Sequence, residues 1–497
     1  MIVEWEDARG GWSVAQDELA ISGAFFECFA GFLAEDFAVL LDSAAVGERF
    51  GRCSVIGIGP AAVLTAWAEP LLAADGLAEL ELRTWRGGDQ RFGARPQQHR
   101  FVAAPFAALS RELARWAWPA EVRARLRWPF VCGALGFVGY DAGRVLERLP
   151  SRAERDLAIP DYCFLFVDAL LIHEHASGQT HLVVSGRGVS LDAARREREA
   201  LAAAVRHRLS QPLTAAAPAQ AGPVEAHADA DEYAALVREA QAHVLAGDVF
   251  EVCTAHRLSA DYRGSGWPLY RALRSVSPAA FACYVSTPWC SLLSSSPERF
   301  LRLDTERWAE TRPIKGTRPR GSTPEEDEQL RAELAASEKD RAENVMIVDL
   351  ARNDLGRVCE VDSVHVPELM VVETHPRVFH MVSTVRGRLA PEHDAVALFE
   401  ACFPPGSMTG APKIEAMKII DALERYQRSL YAGAVGYFDV GGALDFSVVI
   451  RSFVLAAGRC HFSVGGAIVA DSEPYAEYRE SMDKARALLE ALARLGA

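Results

Sequence analysis

The sequence predicts an α+β fold built on large antiparallel sheets, and three observations carry that expectation. Half of the 497 residues are hydrophobic, enough to bury one large core or a few smaller ones. Strand-like and helix-like segments are mixed along the chain, without the sustained strand–helix alternation of a parallel doubly wound sheet. No internal repeat is visible, which removes solenoids and propellers.

In chain order, residues 163–173 (CFLFVDALLIH) and 180–185 read as adjacent strands, bounded by polar turn residues. Ser190 is placed to cap a helix running towards Leu209. Residues 211–230 (QPLTAAAPAQAGPVEAHADA) are rich in Ala and Pro and poor in large apolar side chains, so a linker or long surface loop is expected there. Beyond it, Tyr233, Leu236, Val237, Ala240 and Val244 fall at helical spacing, and Gly247 is placed to close that helix. Residues 249–258 follow as a strand. In SEKDRAENVMIVDLARNDLGR, Val345, Met346, Val348, Leu350 and Leu355 support a long helix. Thr409, Gly410 and Pro412 open another helix, and YAEYRESMDKARALLEAL is helical near the C-terminus.

Composition removes several functional classes. A formal net charge of −14 argues against nucleic acid as a partner. No apolar run is long enough for a membrane span. The opening MIVEWEDARGG lacks the basic-then-apolar order of a signal peptide. Ten cysteines occur without a CxxC pair, so neither a zinc site nor a disulfide framework is indicated. Buried free thiols in a reducing cytoplasm are expected instead.

The densest chemical signal is TRPIKGTRPR, which places Arg312, Lys315, Arg318 and Arg320 within ten residues, 311–320, of an acidic chain. Neighbouring positive charge lowers a lysine pKa, and a lysine so lowered can attack an electrophilic carbon. A solvated basic loop is the plainer alternative. Two acidic pairs form the next layer. Asp340 and Glu343 share one helix face, as do Glu477 and Glu480, with Lys484 one turn beyond Glu480. Carboxylates from two helices suit Mg²⁺, although each pair alone also reads as a solvated face with local ion pairs, and nothing in the spacing brings the helices together. Thr409 and Gly410 could present helix-start amides to an anion, and Gly465 and Gly466 could allow a ligand close to the backbone; capping and tight packing are the structural alternatives. Walker A, dinucleotide, nucleophile-elbow and zinc-protease signatures are missing.

In their order, SPERF (296–300), RPIKGTRPR, SEKDRAENVMIVDLARNDLGR, MTGAPKIEAMKIIDALE, RSLYAGAVGYF and VGGAIVADSEPYAEYRESMDKA resemble the chorismate-utilising enzymes. That family includes anthranilate synthase component I, aminodeoxychorismate synthase component I, and the isochorismate and salicylate synthases. The resemblance is dense from about residue 231 onward and thinner in 37–44 (FAVLLDSA) and 130–150. It implies a four-layer α/β/β/α core with two packed antiparallel sheets. Residues 1–210 would contribute to that core, and 231–497 would form the chorismate-binding catalytic part.

The resemblance also implies roles for particular residues. Glu343 and Glu480 would be Mg²⁺ ligands, with Asp340 and Glu477 beside them or acting through water. Arg451 and Tyr431 would hold the enolpyruvyl carboxylate, Thr409, Gly465, Gly466 and Lys484 would line the site, and His380 would lie near the reacting ring. The PIKGT motif resembles the aminodeoxychorismate branch, where the lysine corresponding to Lys315 attacks the ring and Glu298 serves as acid and then base. Ammonia would come from a separate glutamine amidotransferase subunit, since no GxCxGxQ elbow is found in the chain, and no C-terminal lyase extension is expected. Glu251 departs from the family pattern, standing where amidating members carry glutamine and water-using members lysine. The segments around Leu40–Ser43 and Ser277–Tyr284 also depart from the tryptophan-site pattern, which makes feedback by tryptophan doubtful. The rival expectations are an anthranilate-forming component I and a non-catalytic homologue that binds chorismate or an amino acid.

Overall fold

The computed structural model describes every residue except 22, 46–49, 86–91, 93–94, 212–216, 376–377 and 496–497, so part of the connection expected at 211–230 lies outside the described residues. Among the described residues, two antiparallel sheets of 14 and 12 strands dominate the molecule. The first runs from Ile2–Asp7 and Gly10–Glu18 through Gln179–Gly188, Ala169–Glu174, Cys53–Gly57 and Ala38–Asp42. It continues through Phe281–Ser286, Ser291–Ser296, Ser452–Ala456 and Arg459–Ile468 to Glu251–Arg263. The second begins at Ile314–Pro319 and Val378–Arg388, passes through Arg299–Leu303 and Ala434–Asp439, then Gly133–Val138 and Tyr162–Val167, and ends at Gln97–Ala103.

Each sheet therefore combines strands from before and after the 211–230 connection. The joins are Ala38–Asp42 beside Phe281–Ser286 in one sheet and Gly133–Val138 beside Ala434–Asp439 in the other. Side-chain alternation sorts the cores. Val39 faces inward with Val285 and Leu292, in the core between the sheets. Its neighbours Ala38 and Leu40 face outward, where Leu201, Tyr270 and Leu488 arrive from helices Leu191–Ser210, Gly266–Val276 and Pro474–Ala493. Helices Pro105–Trp116, Glu338–Gly356 and Ala395–Cys402 cover the other face of the second sheet, supplying Phe106, Val348 and Phe399. The result is the expected four-layer α+β arrangement. Among the described residues no helix is long and apolar enough to cross a membrane.

Local signals set the helix ends. The Ser190 side chain accepts a hydrogen bond from the Ala193 N–H and starts Leu191–Ser210. Asp229 and Glu232 form a capping box at the start of Ala230–Ala246, which ends at Gly247 with φ of 85°. Two expectations need correction. Residues 163–173 are not one strand: Tyr162–Val167 belongs to the second sheet and Ala169–Glu174 to the first, with the chain crossing between them at Asp168. Only the latter segment pairs with Gln179–Gly188. A run that is apolar on both faces carries no period to mark the crossing. The strand expected at 249–258 is Glu251–Arg263, extended because its partner Arg459–Ile468 continues the ladder to Asp261.

A buried ion pair secures one join. Arg123 Nε donates to Asp439 Oδ2 at 2.7 Å, the Val131 N–H donates to Oδ1 at 3.1 Å, and the two side chains are 6% and 0% exposed. Asp439→Ala would leave the guanidinium buried without its partner, and chemical denaturation should show a loss of about 3–5 kcal/mol.

Candidate functional site

A cavity of about 810 Å³ opens where strands of both sheets meet the two acidic helices. Strand Ile314–Pro319 brings Lys315 to its wall, and Glu338–Gly356 brings Asp340 and Glu343. Pro474–Ala493 brings Glu477, Glu480 and Lys484, and Arg459–Ile468 brings Gly465 and Gly466. Glu298, His380, Tyr431 and Arg451 complete the set of expected residues that line it.

Lys315 is 9% exposed, and its Nζ donates to Glu251 Oε1 at 2.6 Å and lies 3.9 Å from Glu343 Oε2. Glu251 is fully buried, and its Oε2 accepts no hydrogen bond among the described residues. The three arginines of the motif do not crowd the amine. Arg312 donates to Glu373 at 2.7 Å, Arg318 to Glu333 at 2.8 Å and Asp340 at 3.2 Å, and Arg320 to Asp327 at 2.6 Å. The expected lowering of the Lys315 pKa is therefore overturned. Burial pushes it down, but Glu251, with Cys253 and Glu343, outweighs burial and holds the ammonium above its ordinary range.

Glu298 shows the opposite effect. Burial drives its carboxyl up to about 7, against a hydrogen bond from the Ser407 hydroxyl and the charge of Lys315, so it can hold a proton near neutrality. His380 Nδ1 lies 2.9 Å from Thr317 Oγ1, and burial, aided by His375 and Arg451, lowers its pKa to about 4, leaving a neutral imidazole. Arg451 lines the cavity beside Tyr431, and among the described residues its guanidinium has no carboxylate partner. A cation so placed suits a planar anionic group.

Side chains of the two acidic helices line the same cavity. Lys339 Nζ stands 3.9 Å from both Glu343 Oε1 and Glu477 Oε1, so the carboxylates of separate helices face a common point. Glu480 is paired with Lys484 at 2.9 Å, and Glu477 accepts from the Ser472 hydroxyl at 2.8 Å. Burial raises Glu343 to about 7 and also raises Glu477. Glu480 is lowered because Lys484 outweighs the effect of burial. Among the described residues no three side chains already form a metal cage. The donor set is nonetheless one of carboxylate oxygens, and it fits a hard divalent cation.

The glycines separate by role. A Cβ on Gly466 would lie 3.0 Å from Glu477 Oε2, facing the acidic cluster, whereas one on Gly465 would lie 1.9 Å from the Thr254 carbonyl oxygen of the adjacent strand. Gly465 is thus required for strand packing. Thr409 does not line the cavity. It is fully buried, its hydroxyl donates to the Gly406 carbonyl at 3.2 Å, and its neighbours Ser407 and Met408 take the lining positions. Lys339, Ser407 and Met408 escaped the sequence reading. Lys339 lies four residues before Glu343 and was accessible as a helical pair, while the two loop residues have no periodicity to mark them.

Residues 38–490 match the family model described as chorismate binding enzyme. The chain belongs to that family. It is 44% identical over 373 residues to an aminodeoxychorismate synthase of Streptomyces griseus, covering 74% of this chain and 51% of the relative. The chain thus spans about half the length of that relative. It is 38% identical over 464 residues to aminodeoxychorismate synthase component 1 of Klebsiella aerogenes, covering 93% of this chain and 95% of that one. It is also 41% identical over 367 residues to anthranilate synthase component 1 of Thermus thermophilus, covering 73% and 78%. Among solved structures, anthranilate synthase component I from Streptococcus pneumoniae superposes with a TM-score of 0.73 at 27% identity, over 89% of this chain and 93% of that one. The family assignment therefore holds across two kinds of named relative.

Gly316 presents Lys315 to the cavity with φ of +88°, and a Cβ there would lie 2.9 Å from both Asp340 Cγ and Leu334 Cδ1. Gly316→Ala should cost about 2 kcal/mol or more in denaturant unfolding, because left-handed strain and the steric clash add.

Proposed function

We propose that the chain aminates chorismate to 4-amino-4-deoxychorismate through a covalent adduct on Lys315, using ammonia from a separate glutamine amidotransferase subunit. The observation that carries this reading is a lysine amine at the cavity wall, held against a buried carboxylate, in the same cavity as a carboxyl that titrates near neutrality. The sequence similarity to aminodeoxychorismate synthases supports the branch. Residues 231–497 carry the site in this reading, and residues 1–210 help to build the core.

Arg451 and Tyr431 orient the enolpyruvyl carboxylate, and Lys484, held on the Gly465 carbonyl at 2.8 Å, sits at the edge of the acidic cluster. Glu343 and Glu480 would hold Mg²⁺, with Asp340 and Glu477 beside them. When bound, the ion offsets the charge of the ring carboxylate and polarises the ring. Glu251 accepts a proton from Lys315. The freed amine forms a bond to ring C2, the ring double bonds shift, and the C4–O bond breaks as Glu298 gives its proton to the departing hydroxyl, releasing water. Ammonia then forms the C4–N bond while the C2–N bond to Lys315 breaks. Glu298 accepts a proton from the incoming ammonia, and Glu251 returns one to the lysine. His380, neutral, provides a hydrogen-bonding group beside the ring. The enolpyruvyl group stays attached, and two displacements replace one harder step.

Purified chain supplied with chorismate, Mg²⁺ and ammonium should form aminodeoxychorismate without pyruvate, and Lys315→Ala should lose at least about 100-fold in rate. Anthranilate with equimolar pyruvate would instead establish the reading favoured by similarity to anthranilate synthase component 1. Chorismate binding without turnover would reduce the protein to a binding homologue.

Glu298 gives a second test. Its folded carboxyl titrates at about 7 and its ordinary value is 4.5, so the folded state holds the proton between these values and loses stability as pH rises through them. Glu298→Gln removes that loss. The variant should match the parent near pH ~4 and exceed it by on the order of 2 kcal/mol near pH ~8 in denaturant titrations.

A further inference from the structure

Three lysines line the cavity among the described residues, and they are not equivalent. Lys315 is hydrogen-bonded to Glu251 at 2.6 Å, and Lys484 is hydrogen-bonded to Glu480 at 2.9 Å and to the Gly465 carbonyl at 2.8 Å. Lys339 Nζ has neither kind of anchor. It lies 3.9 Å from one carboxylate on each acidic helix, beyond hydrogen-bond reach, so its hold is Coulombic and weakly directional. Its side chain is 49% exposed, whereas those of Glu343 and Glu477 are 13% and 6% exposed, so it approaches the buried carboxylates from the solvent side and can withdraw by that route.

We propose that Lys339 is an internal counter-ion, standing between Glu343 and Glu477 until a divalent cation displaces it, and that it thereby sets the cation affinity of the site. The inference rests on the reading of these helices as the Mg²⁺ site. The physical argument is charge balance. Glu343 and Glu477 are held on separate helices, each with one carboxylate oxygen 3.9 Å from Lys339 Nζ, whose ammonium offsets their charge. A divalent ion offers twice the charge and direct coordination by carboxylate oxygens, but it must first overcome the ammonium already there. A site balanced in this way stays assembled without metal and binds it only moderately. Lys339 is a positioning residue here, since it acts through the carboxylates.

The test is Mn²⁺ binding to the full chain, by calorimetry and by electron paramagnetic resonance, with saturating chorismate and no ammonium. The variants are Lys339→Met, which keeps the length without the charge, and Lys339→Arg, which keeps the charge. Lys339→Met is expected to bind Mn²⁺ about five- to tenfold more tightly, with Lys339→Arg close to the parent. In EDTA, Lys339→Met should melt at a lower temperature than the parent, and Mn²⁺ should raise its Tm by more than it raises that of the parent. Unchanged Mn²⁺ affinity in Lys339→Met would overturn the proposal while leaving the metal site standing. An increase in chorismate KM with unchanged Mn²⁺ affinity would make Lys339 a substrate ligand instead. If neither the parent nor Lys339→Met binds Mn²⁺, the metal reading fails, and the counter-ion role fails with it.

Discussion

The contact between Lys315 and Glu251 is the constraint on which the site depends. Lys315 belongs to an edge strand of the second sheet, and Glu251 begins a strand of the first, so a 2.6 Å bond ties the two sheets together at the cavity wall. Both groups are almost fully removed from water, and a charge in that position is tolerated only with its partner. The pair therefore does two things. It fixes the separation of the sheets where the cavity opens, and it keeps an amine at the wall instead of letting it reach solvent.

That constraint explains why the surrounding arginines are engaged elsewhere. Arg312, Arg318 and Arg320 lie close to Lys315 in sequence, but each meets a carboxylate of its own on Glu373, Glu333 with Asp340, or Asp327. Neutralised in this way, they brace the strand and its flanking helices without repelling the lysine. Asp340 links this bracing to the acidic cluster, because it accepts from Arg318 on one side and lies on the same helix as Glu343. The basic motif and the acidic helix thus act as one unit, which the glycine at position 316 allows to approach closely.

Much of this was legible in the sequence, and the remainder was not for identifiable reasons. Helix limits at Ser190, Asp229 and Gly247 follow from local chemistry, so they could be read directly. The order of long motifs identified the family and, through it, the four layers, which periodicity alone could not supply. The crossing at Asp168 was hidden because both flanking strands are buried on both faces. The electrostatics of Lys315 were misread because its neighbours in sequence are arginines while its neighbours in space are Glu251 and Glu343, at separations of 64 and 28 residues. Thr409 was placed in the lining by a motif whose loop turns its hydroxyl back on Gly406 and offers Ser407 instead. For the crossing and for Lys315 the missing information was long-range contact; for Thr409 it was the local turn of its loop.

Two carboxyls in the cavity, Glu298 and Glu343, are both driven to about 7, and the difference in their surroundings gives the site its direction. Glu298 is buried against the Ser407 hydroxyl, and no other carboxylate contributes to its shift; the charge it lacks is one that a proton supplies. Glu343 is buried near Glu251 and Asp340, whose negative charge adds to the effect of burial, and Glu477 stands across Lys339 from it. Its deficit belongs to a cluster, which in the proposed reading a cation shared among carboxylates would relieve. Environments that give titratable groups different ways of becoming neutral are what assign acid and metal roles within one cavity. Lys315 Nζ stands 3.9 Å from Glu343, and its charge also acts on Glu298, so in the proposed reaction the amine has the proton-holding carboxyl and the acidic cluster within its reach.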